Sequence, residues 1–334
     1  MTQSGVGVLL VNLGTPDAPE PRAVRRYLGQ FLSDPRVVEL PRLLWSPILH
    51  GVVLPLRASK SAAAYAAIWD RQANESPLRS ITRAQADSLA ERLRDGASGA
   101  APVLVDFAMR YGAPSLQEGL AGLMSRGCER ILVMPLYPQY AAAATATVFD
   151  AIARILAGMR RQPTVRFLPP YFDDPAYIDA LAATLRTGVA ALDFETEVML
   201  ASFHGLPQVQ IDAGDPYKAQ CEASWRLLRE AMGVSERQLR LSFQSRFGRA
   251  KWIEPSTAEV VAGLAAEGVK RLVVITPGFS VDCLETIEEI GVEIRDAFLQ
   301  AGGEKFARIP CLNDGEPGMR LLESLARREL GGWA

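Results

Sequence analysis

Residues 127–135 (GCERILVMP) recur in the second half of the chain as residues 268–277 (GVKRLVVITP), with Gly, Arg and Val in step at one offset. Two further pairs repeat in the same order, namely residues 8–16 (VLLVNLGTP) with 198–207 (VMLASFHGLP) and residues 109–112 (MRYG) with 245–248 (SRFG). The long runs have the length of buried strands and lead into turns marked by Gly or Pro. The repeat predicts two similar halves.

Helical patterns lie between these strands. Ser76 and Pro77 open an Ala-, Leu- and Arg-rich run to Arg94, and residues 115–118 (SLQE) form a capping box. Strands that alternate with helices indicate βαβ units and parallel sheets. We therefore predict an α/β fold of two doubly wound halves, residues 1–170 and 171–334, around a central cleft. Clefts at the carboxyl ends of parallel strands are the usual ligand sites.

Composition excludes several function classes. The chain has 334 residues, of which 49% are hydrophobic, and a net charge of −2, which gives no general attraction to nucleic acid. Its four cysteines lie far apart without a Cys-x-x-Cys pair, which favours reduced thiols in a cytoplasmic protein. The sequence contains no Gly-x-Gly-x-x-Gly after the first strand, no phosphate-binding Gly-x-x-x-x-Gly-Lys motif and no Gly-x-Ser-x-Gly elbow.

The longest apolar stretch, residues 40–54 (LPRLLWSPILHGVVL), is called the apolar lip below. Two prolines, an arginine and its short length argue against a membrane span, and no signal peptide is evident at the N-terminus. We expect most of the lip to pack in the core; the alternative is an exposed surface that touches a membrane or an apolar ligand. His50 lies within it, in a structural or interfacial position.

The other of the two histidines, His204, ends an apolar run. Glu285, Glu289 and Glu293 form one stripe of a predicted helix over residues 282–300, and Asp282 is its candidate N-cap. A turn histidine and a solvated acidic face are the alternatives to a functional site. An imidazole opposite a carboxylate is a minimal, loosely binding site for a divalent cation, and further carboxylates would carry cations in or protons out.

Seven motifs occur in order along the chain, which are residues 10–16 (LVNLGTP), 108–112 (AMRYG), 135–140 (PLYPQY), 202–207 (SFHGLP), 214–217 (GDPY), 243–248 (FQSRFG) and 277–286 (PGFSVDCLET). Together they give the chain a resemblance to ferrochelatases, in their proteobacterial form. The resemblance implies two Rossmann-like halves and the insertion of Fe²⁺ into protoporphyrin IX without an organic cofactor. It also implies iron-binding and catalytic roles for His204 and Glu285, with a proton or metal path at Asp282, Glu289 and Glu293.

The same resemblance implies a set of porphyrin contacts, which are Tyr137, Arg110, Tyr111, Trp252 and Phe279. The chain departs from the family pattern at residues 141–144 and 209–211, which puts substrate choice or rate in doubt. The ending GGWA (residues 331–334) lacks the Cys-rich tail of cluster-bearing relatives, so we expect no iron–sulfur cluster.

Several alternatives stay open at the level of sequence. One is a non-catalytic porphyrin or haem carrier, which would need neither a base nor the stripe of glutamates on the predicted helix. Another is a chelatase for a different metal or tetrapyrrole, such as cobalt, for which more histidines would be expected. The preference for protoporphyrin or coproporphyrin, a peripheral contact with the inner membrane, and a monomer or homodimer state are also open.

Overall fold

Two four-stranded parallel sheets carry the fold of this computed structural model, which describes residues 5–94, 103–246, 248 and 250–333. The strand orders are β2-β1-β3-β4 and β6-β5-β7-β8, so the same topology occurs twice. The strands are nearly continuous in apolar residues, as expected for strands covered by helices on both faces. The predicted α/β fold with two similar doubly wound halves is confirmed.

The first compact unit comprises residues 1–137, 141–169 and 319–334. Its elements are β1 (Gly5–Gly14), α1 (Pro21–Leu32), α2 (Arg42–Ile48), a π-helical turn (Leu49–Val53), α3 (Leu54–Ile68), α4 (Pro77–Arg94), β2 (Leu104–Tyr111), α5 (Leu116–Ser125), β3 (Cys128–Pro135), a second π-helical turn (Ala142–Ala146), α6 (Thr147–Ala157) and β4 (Thr164–Phe167). Ser115 and Glu118 form the predicted capping box at the start of α5.

The second unit comprises residues 138–140 and 170–318. Its elements are α7 (Pro175–Ala190), β5 (Val198–His204), α8 (Gln208–Asp212), α9 (Tyr217–Met232), β6 (Leu239–Gln244), α10 (Thr257–Ala266), β7 (Arg271–Ile275), a π-helix (Glu285–Ile294), α11 (Arg295–Gln300) and β8 (Lys305–Arg308). The last helix, α12 (Glu316–Glu329), groups from Met319 onward with the first unit, although the predicted division had put it in the second half.

The core of each unit lies between its sheet and its helices. In the first unit, Leu9, Val11 and Val133 are fully buried against α5 and α6. In the second, Leu200 and Val274 pack against α10 and the π-helix. The repeated strands β3 and β7 thus occupy the same place in the two sheets, which is why their apolar residues are in step.

The apolar lip is exposed, and the expectation that most of it packs in the core is wrong. No residue of α2 is buried, and Leu43 and Leu44 are 91% and 66% exposed. Of the lip's large apolar residues, Leu49 and Leu54 are the ones that turn fully inward, with 1% exposure each. The helical turns direct one side inward, while Leu40, Leu43, Leu44, Ile48 and Val52 remain exposed.

Candidate active site

His204 is the last residue of β5 and lies half-buried at the carboxyl end of the second sheet. Its Nδ1 lies 2.6 Å from the carbonyl oxygen of Gly205. A carbonyl oxygen can only accept, so Nδ1 carries the hydrogen in the neutral ring and Nε2 keeps a free lone pair. The backbone of Gly205 approaches β6 so closely that an added Cβ would lie 2.6 Å from the Gln244 carbonyl oxygen. The glycine therefore permits the turn that presents the imidazole.

The acidic stripe lies on a π-helix rather than on the α-helix predicted from residue 282 onward. Its i→i+5 hydrogen bonds widen each turn, so side chains four residues apart come close to alignment. Glu285 and Glu289 are half-buried and Glu293 is exposed. The three carboxylates therefore form a file that runs from the interior of the unit to its surface.

Glu289 is held in place by two neighbouring residues of β6 and the following loop. Its Oε1 accepts from the backbone N–H of Ser245 at 2.7 Å, and its Oε2 accepts from the Ser245 hydroxyl and from Gln244 Nε2 at 3.3 Å. Ser245 adopts φ +66°, a left-handed conformation that a non-glycine residue keeps when its surroundings demand it. The strained backbone aims both Ser245 donors at one carboxylate.

The electrostatics of Glu289 connect it with the rest of the site. Burial raises the pKa of Glu289 above its ordinary value, and the charge of Glu285 raises it further. Hydrogen bonds from Ser245 and the charge of His204 act in the opposite direction on the same pKa. His204, Glu285 and Glu289 therefore lie within electrostatic reach of one another, and Glu289 holds a proton more readily than a solvated glutamate.

A buried polar network supports Gln244 from behind. Gln244 donates to the backbone carbonyl of Glu285 at 2.9 Å and accepts from Ser202 at 2.9 Å. Ser202 in turn lies 2.8 Å from the Thr257 hydroxyl. Ser202, Gln244 and Thr257 are all at least 97% buried. Because every member is paired, the network fixes the orientation of the Gln244 amide and with it the start of the π-helix.

Asp282 occupies a different environment from the three glutamates. Its carboxylate accepts from Arg308 at 2.6 Å, from Asn313 at 2.8 Å and from the Thr286 hydroxyl at 2.8 Å. The side chain is 7% exposed. These bonds use the carboxylate oxygens to join β8 to the first turn of the π-helix, so the geometry gives Asp282 a supporting place beside the acidic file rather than a place in it.

Two of the predicted porphyrin contacts lie beside His204. The ring centroid of Phe279 is 6.3 Å from that of His204. Trp252 pairs with Pro207 through a β-bridge, and a Cβ at Gly205 would lie 3.2 Å from its ring. Both aromatic side chains are half-buried. The second unit thus places one aromatic ring beside His204 and another beside the following Gly205.

The predicted contacts in the first unit are differently placed. Arg110 forms an ion pair with Asp34, donates to the Thr147 carbonyl at 2.9 Å and stacks on the Tyr111 ring. The Tyr111 hydroxyl donates to Asp34 at 3.0 Å, and burial raises the pKa of Tyr111. Tyr137 is half-buried against the core of this unit. Arg110 and Tyr111 are therefore engaged in an internal network.

The sequence reading overlooked the residues that hold the predicted ones. Gln244 and Ser245 lie in residues 243–248, one of the motifs that carry the family resemblance, yet nothing in the motif indicates that they bind Glu289. Asp34 lies in a stretch without any motif. Within the described ranges, no set of three or more His, Cys, Asp or Glu side chains is arranged to hold a metal ion. In the same residues, no helix is long and apolar enough to cross a membrane.

Comparison with known proteins gives consistent matches along the chain. The sequence model of a family described as Ferrochelatase matches residues 5–330. Proteins named ferrochelatase from Methylocella silvestris and Nitrobacter hamburgensis are 55% and 54% identical to this chain, each match covering 98% of the chain and 94% of the relative.

Among solved structures, SirB from Bacillus subtilis with Fe³⁺ superposes with a TM-score of 0.56 at 12% identity, over 97% of this chain and 95% of SirB. At that identity the likeness concerns the fold.

Proposed function

This chain belongs to the ferrochelatase family, and we propose that it inserts Fe²⁺ into protoporphyrin IX, releasing two protons and forming protohaem. The arrangement that supports this proposal most directly is His204 with a free Nε2 within electrostatic reach of Glu285 and Glu289. Fe²⁺ and the porphyrin are the substrates in this reaction. We expect neither an organic cofactor nor an iron–sulfur cluster.

In the proposed mechanism His204 is the proton acceptor. The porphyrin must lose two N–H protons as iron forms bonds to its four nitrogens, and a neutral imidazole is a suitable base for them. The Gly205 carbonyl fixes the hydrogen on Nδ1, so the incoming proton goes to Nε2. Because the same lone pair can bind iron, His204 serves one of these roles at a time.

The glutamates supply the second part of the mechanism. We assign Glu285 to the ferrous ion beside His204, and Glu289 and Glu293 to a path between the site and solvent. Glu289 favours its protonated form because it is buried, so it can receive a proton that an exposed glutamate would not hold. Glu293 is exposed and can release that proton to water.

For the macrocycle we propose Trp252, Phe279 and Tyr137 as contacts. We assign Arg110 and Tyr111 a structural role instead, because both side chains already bind the Asp34 carboxylate. Asp282 is likewise assigned to support the π-helix. This leaves a site of apolar rings with few polar groups, as is usual for ligand pockets.

We also propose that the apolar lip contacts a membrane surface, which would make the protein peripheral. Leu43, Leu44 and Val52 are each more than half exposed. The lip carries no carboxylate, and its two titratable groups, Arg42 and His50, are basic or neutral. An apolar surface that carries one arginine and no carboxylate suits the interface of a bilayer.

The test of the activity is anaerobic mixing of the purified protein with protoporphyrin IX and Fe²⁺, or Zn²⁺ as a surrogate, while metalloporphyrin absorbance is followed. Replacement of His204 by Ala should lower kcat by about 10²–10⁴ and leave porphyrin binding within about tenfold. His50→Ala is the matched control, since it removes the other, exposed histidine. Tight porphyrin binding without turnover in the wild-type protein would favour a carrier instead.

A further inference from the structure

The turn that carries Phe279 follows β7 at the carboxyl end of the second sheet. It consists of residues 277–280 (PGFS), and the Phe279 N–H donates to the Thr276 carbonyl at 3.1 Å. The Phe279 side chain is half-buried, and its ring centroid lies 6.3 Å from that of His204. Because the ring is only partly enclosed, the position of this turn in the backbone decides where the ring lies relative to the imidazole.

Two buried tyrosine hydroxyls bind the turn, one on each side of Phe279. The Tyr177 hydroxyl donates to the Pro277 carbonyl at 2.7 Å, and the Tyr171 hydroxyl lies 3.0 Å from that of Ser280. Burial raises the pKa of both phenols, so both hydroxyls keep their hydrogen at neutral pH. The turn is therefore bound at the residues where it begins and ends.

The two tyrosines are themselves fixed within the second unit. Tyr171 and Tyr177 are 2% and 1% exposed, and their rings meet edge to face at a centroid distance of 5.6 Å. Gln139 Nε2 donates to the Tyr177 hydroxyl at 3.2 Å and to the Ser224 hydroxyl at 2.9 Å. A buried polar network whose members are paired in this way is rigid, so the hydroxyls offer the turn a fixed support.

The position of the Phe279 ring bears on the proposed reaction. A proton passes from a pyrrole N–H to His204 Nε2 when the two nitrogens come within about 3–3.5 Å, and a misplacement of about 1 Å can cost about 10²-fold in rate. Phe279 lies beside the imidazole and is a proposed contact of the macrocycle. A shift of its ring therefore changes the approach of the macrocycle to Nε2.

We propose that Tyr177, assisted by Tyr171, is a positioning residue for metal insertion: it fixes the turn 277–280 and so holds the Phe279 ring beside His204. The inference rests on the proposed function. The two partners of the bond from Tyr177 to Pro277 are 100 residues apart in the chain. Neither tyrosine lies in any of the seven motifs, so the motifs do not indicate this role.

A double-mutant cycle tests whether Tyr177 acts through Phe279. Tyr177→Phe removes the hydroxyl and keeps the ring, and it is made in the wild-type protein and in Phe279→Ala. In the wild-type background we expect kcat to fall about three- to tenfold while KM for protoporphyrin stays within about twofold. In Phe279→Ala the same substitution should change kcat by less than about twofold. Tyr171→Phe should act in the same direction but more weakly, because the Asn313 N–H also donates to the Ser280 carbonyl at 3.0 Å.

Trp225→Phe is the matched control for loss of a hydrogen bond. Trp225 Nε1 donates to the Leu239 carbonyl at 2.9 Å, which is a bond of the same kind at the amino end of β6. This variant should lower the urea midpoint, as Tyr177→Phe does, but leave kcat unchanged. An equal fold loss of kcat from Tyr177→Phe in both backgrounds, or an unchanged kcat in the wild-type background, would overturn the proposal.

A spectroscopic readout separates this inference from the proposed function. With para-fluorophenylalanine at residue 279, we expect Tyr177→Phe to shift the fluorine resonance and Trp225→Phe to leave it in place. A resonance that does not move in Tyr177→Phe would overturn the inference even in an active enzyme. A shifted resonance in a protein that inserts no metal would uphold the placement of Phe279 by Tyr177 and refute the proposed function instead.

Discussion

The ion pair between Asp34 and Arg110 provides a quantitative test of which predicted residues contact substrate. Asp34 is 4% exposed at its side chain and Arg110 12%. The Asp34 carboxylate accepts from Arg110, from the Tyr111 hydroxyl at 3.0 Å and from the Arg36 backbone N–H at 2.9 Å. Asp34→Ala therefore leaves one buried cation and two further donors without an acceptor.

Removing one partner of a buried ion pair costs about 3–5 kcal/mol, because the remaining charge is buried and uncompensated. The chain offers a matched control in the pair between Arg36 and Asp150, which are 44% and 37% exposed and 3.0 Å apart. Asp150→Ala should cost about 1 kcal/mol or less, since solvent screens this pair. Urea unfolding of the three proteins measures both losses from the shift in midpoint at constant slope.

A double variant separates a supporting role of Arg110 from a substrate-binding one. Asp34→Leu combined with Arg110→Met replaces the pair by apolar groups, which is often close to neutral for stability. If Arg110 is a support, the double variant regains the part of the loss that comes from the uncompensated Arg110 charge, although the Tyr111 hydroxyl and the Arg36 N–H still lack their acceptor, and it binds porphyrin normally. The reasoning fails if Asp34→Ala loses no more stability than Asp150→Ala, or if the stable double variant has lost its porphyrin affinity.

Three further outcomes follow from the structure. Burial raises the pKa of Glu289, so folding stabilises its protonated form, and this contribution to stability is lost as pH rises above 4.5. The thermal midpoint of Glu289→Gln should therefore rise relative to that of the wild type between about pH 4 and about pH 7. A difference in midpoint that stays constant with pH would contradict the raised pKa. Gly14→Ala should prevent folding or cost more than about 4 kcal/mol, because φ is +117° and the new Cβ would lie 1.8 Å from the Tyr111 carbonyl oxygen; a normal urea midpoint would refute this. The double variant Leu43→Ser/Leu44→Ser should change the free energy of unfolding by about 0.5 kcal/mol or less, yet less of it should sediment with anionic vesicles. Unchanged sedimentation would exclude the apolar lip as the membrane contact.

Much of the fold could be predicted from the sequence because the same sheet topology occurs twice. The offset repeat of residues 127–135 and 268–277 corresponds to β3 and β7, which hold equal places in the two sheets. The helix from Pro77 to Arg94 and the capping box at Ser115 were also predictable, since caps and prolines act on their immediate neighbours. The acidic stripe was visible too, but its π-helical geometry was not.

What the sequence by itself determined is the architecture and the chemical character of the site: two parallel sheets, one histidine at a strand end and a file of glutamates. The tertiary structure decided which side chains are held and which remain available. Arg110 is engaged by Asp34, which is 76 residues away in sequence, and Glu289 is held by Ser245, which is 44 residues away. Periodicity and motifs report on local sequence, whereas the partner, burial and pKa of a polar group depend on atoms that only folding brings into contact.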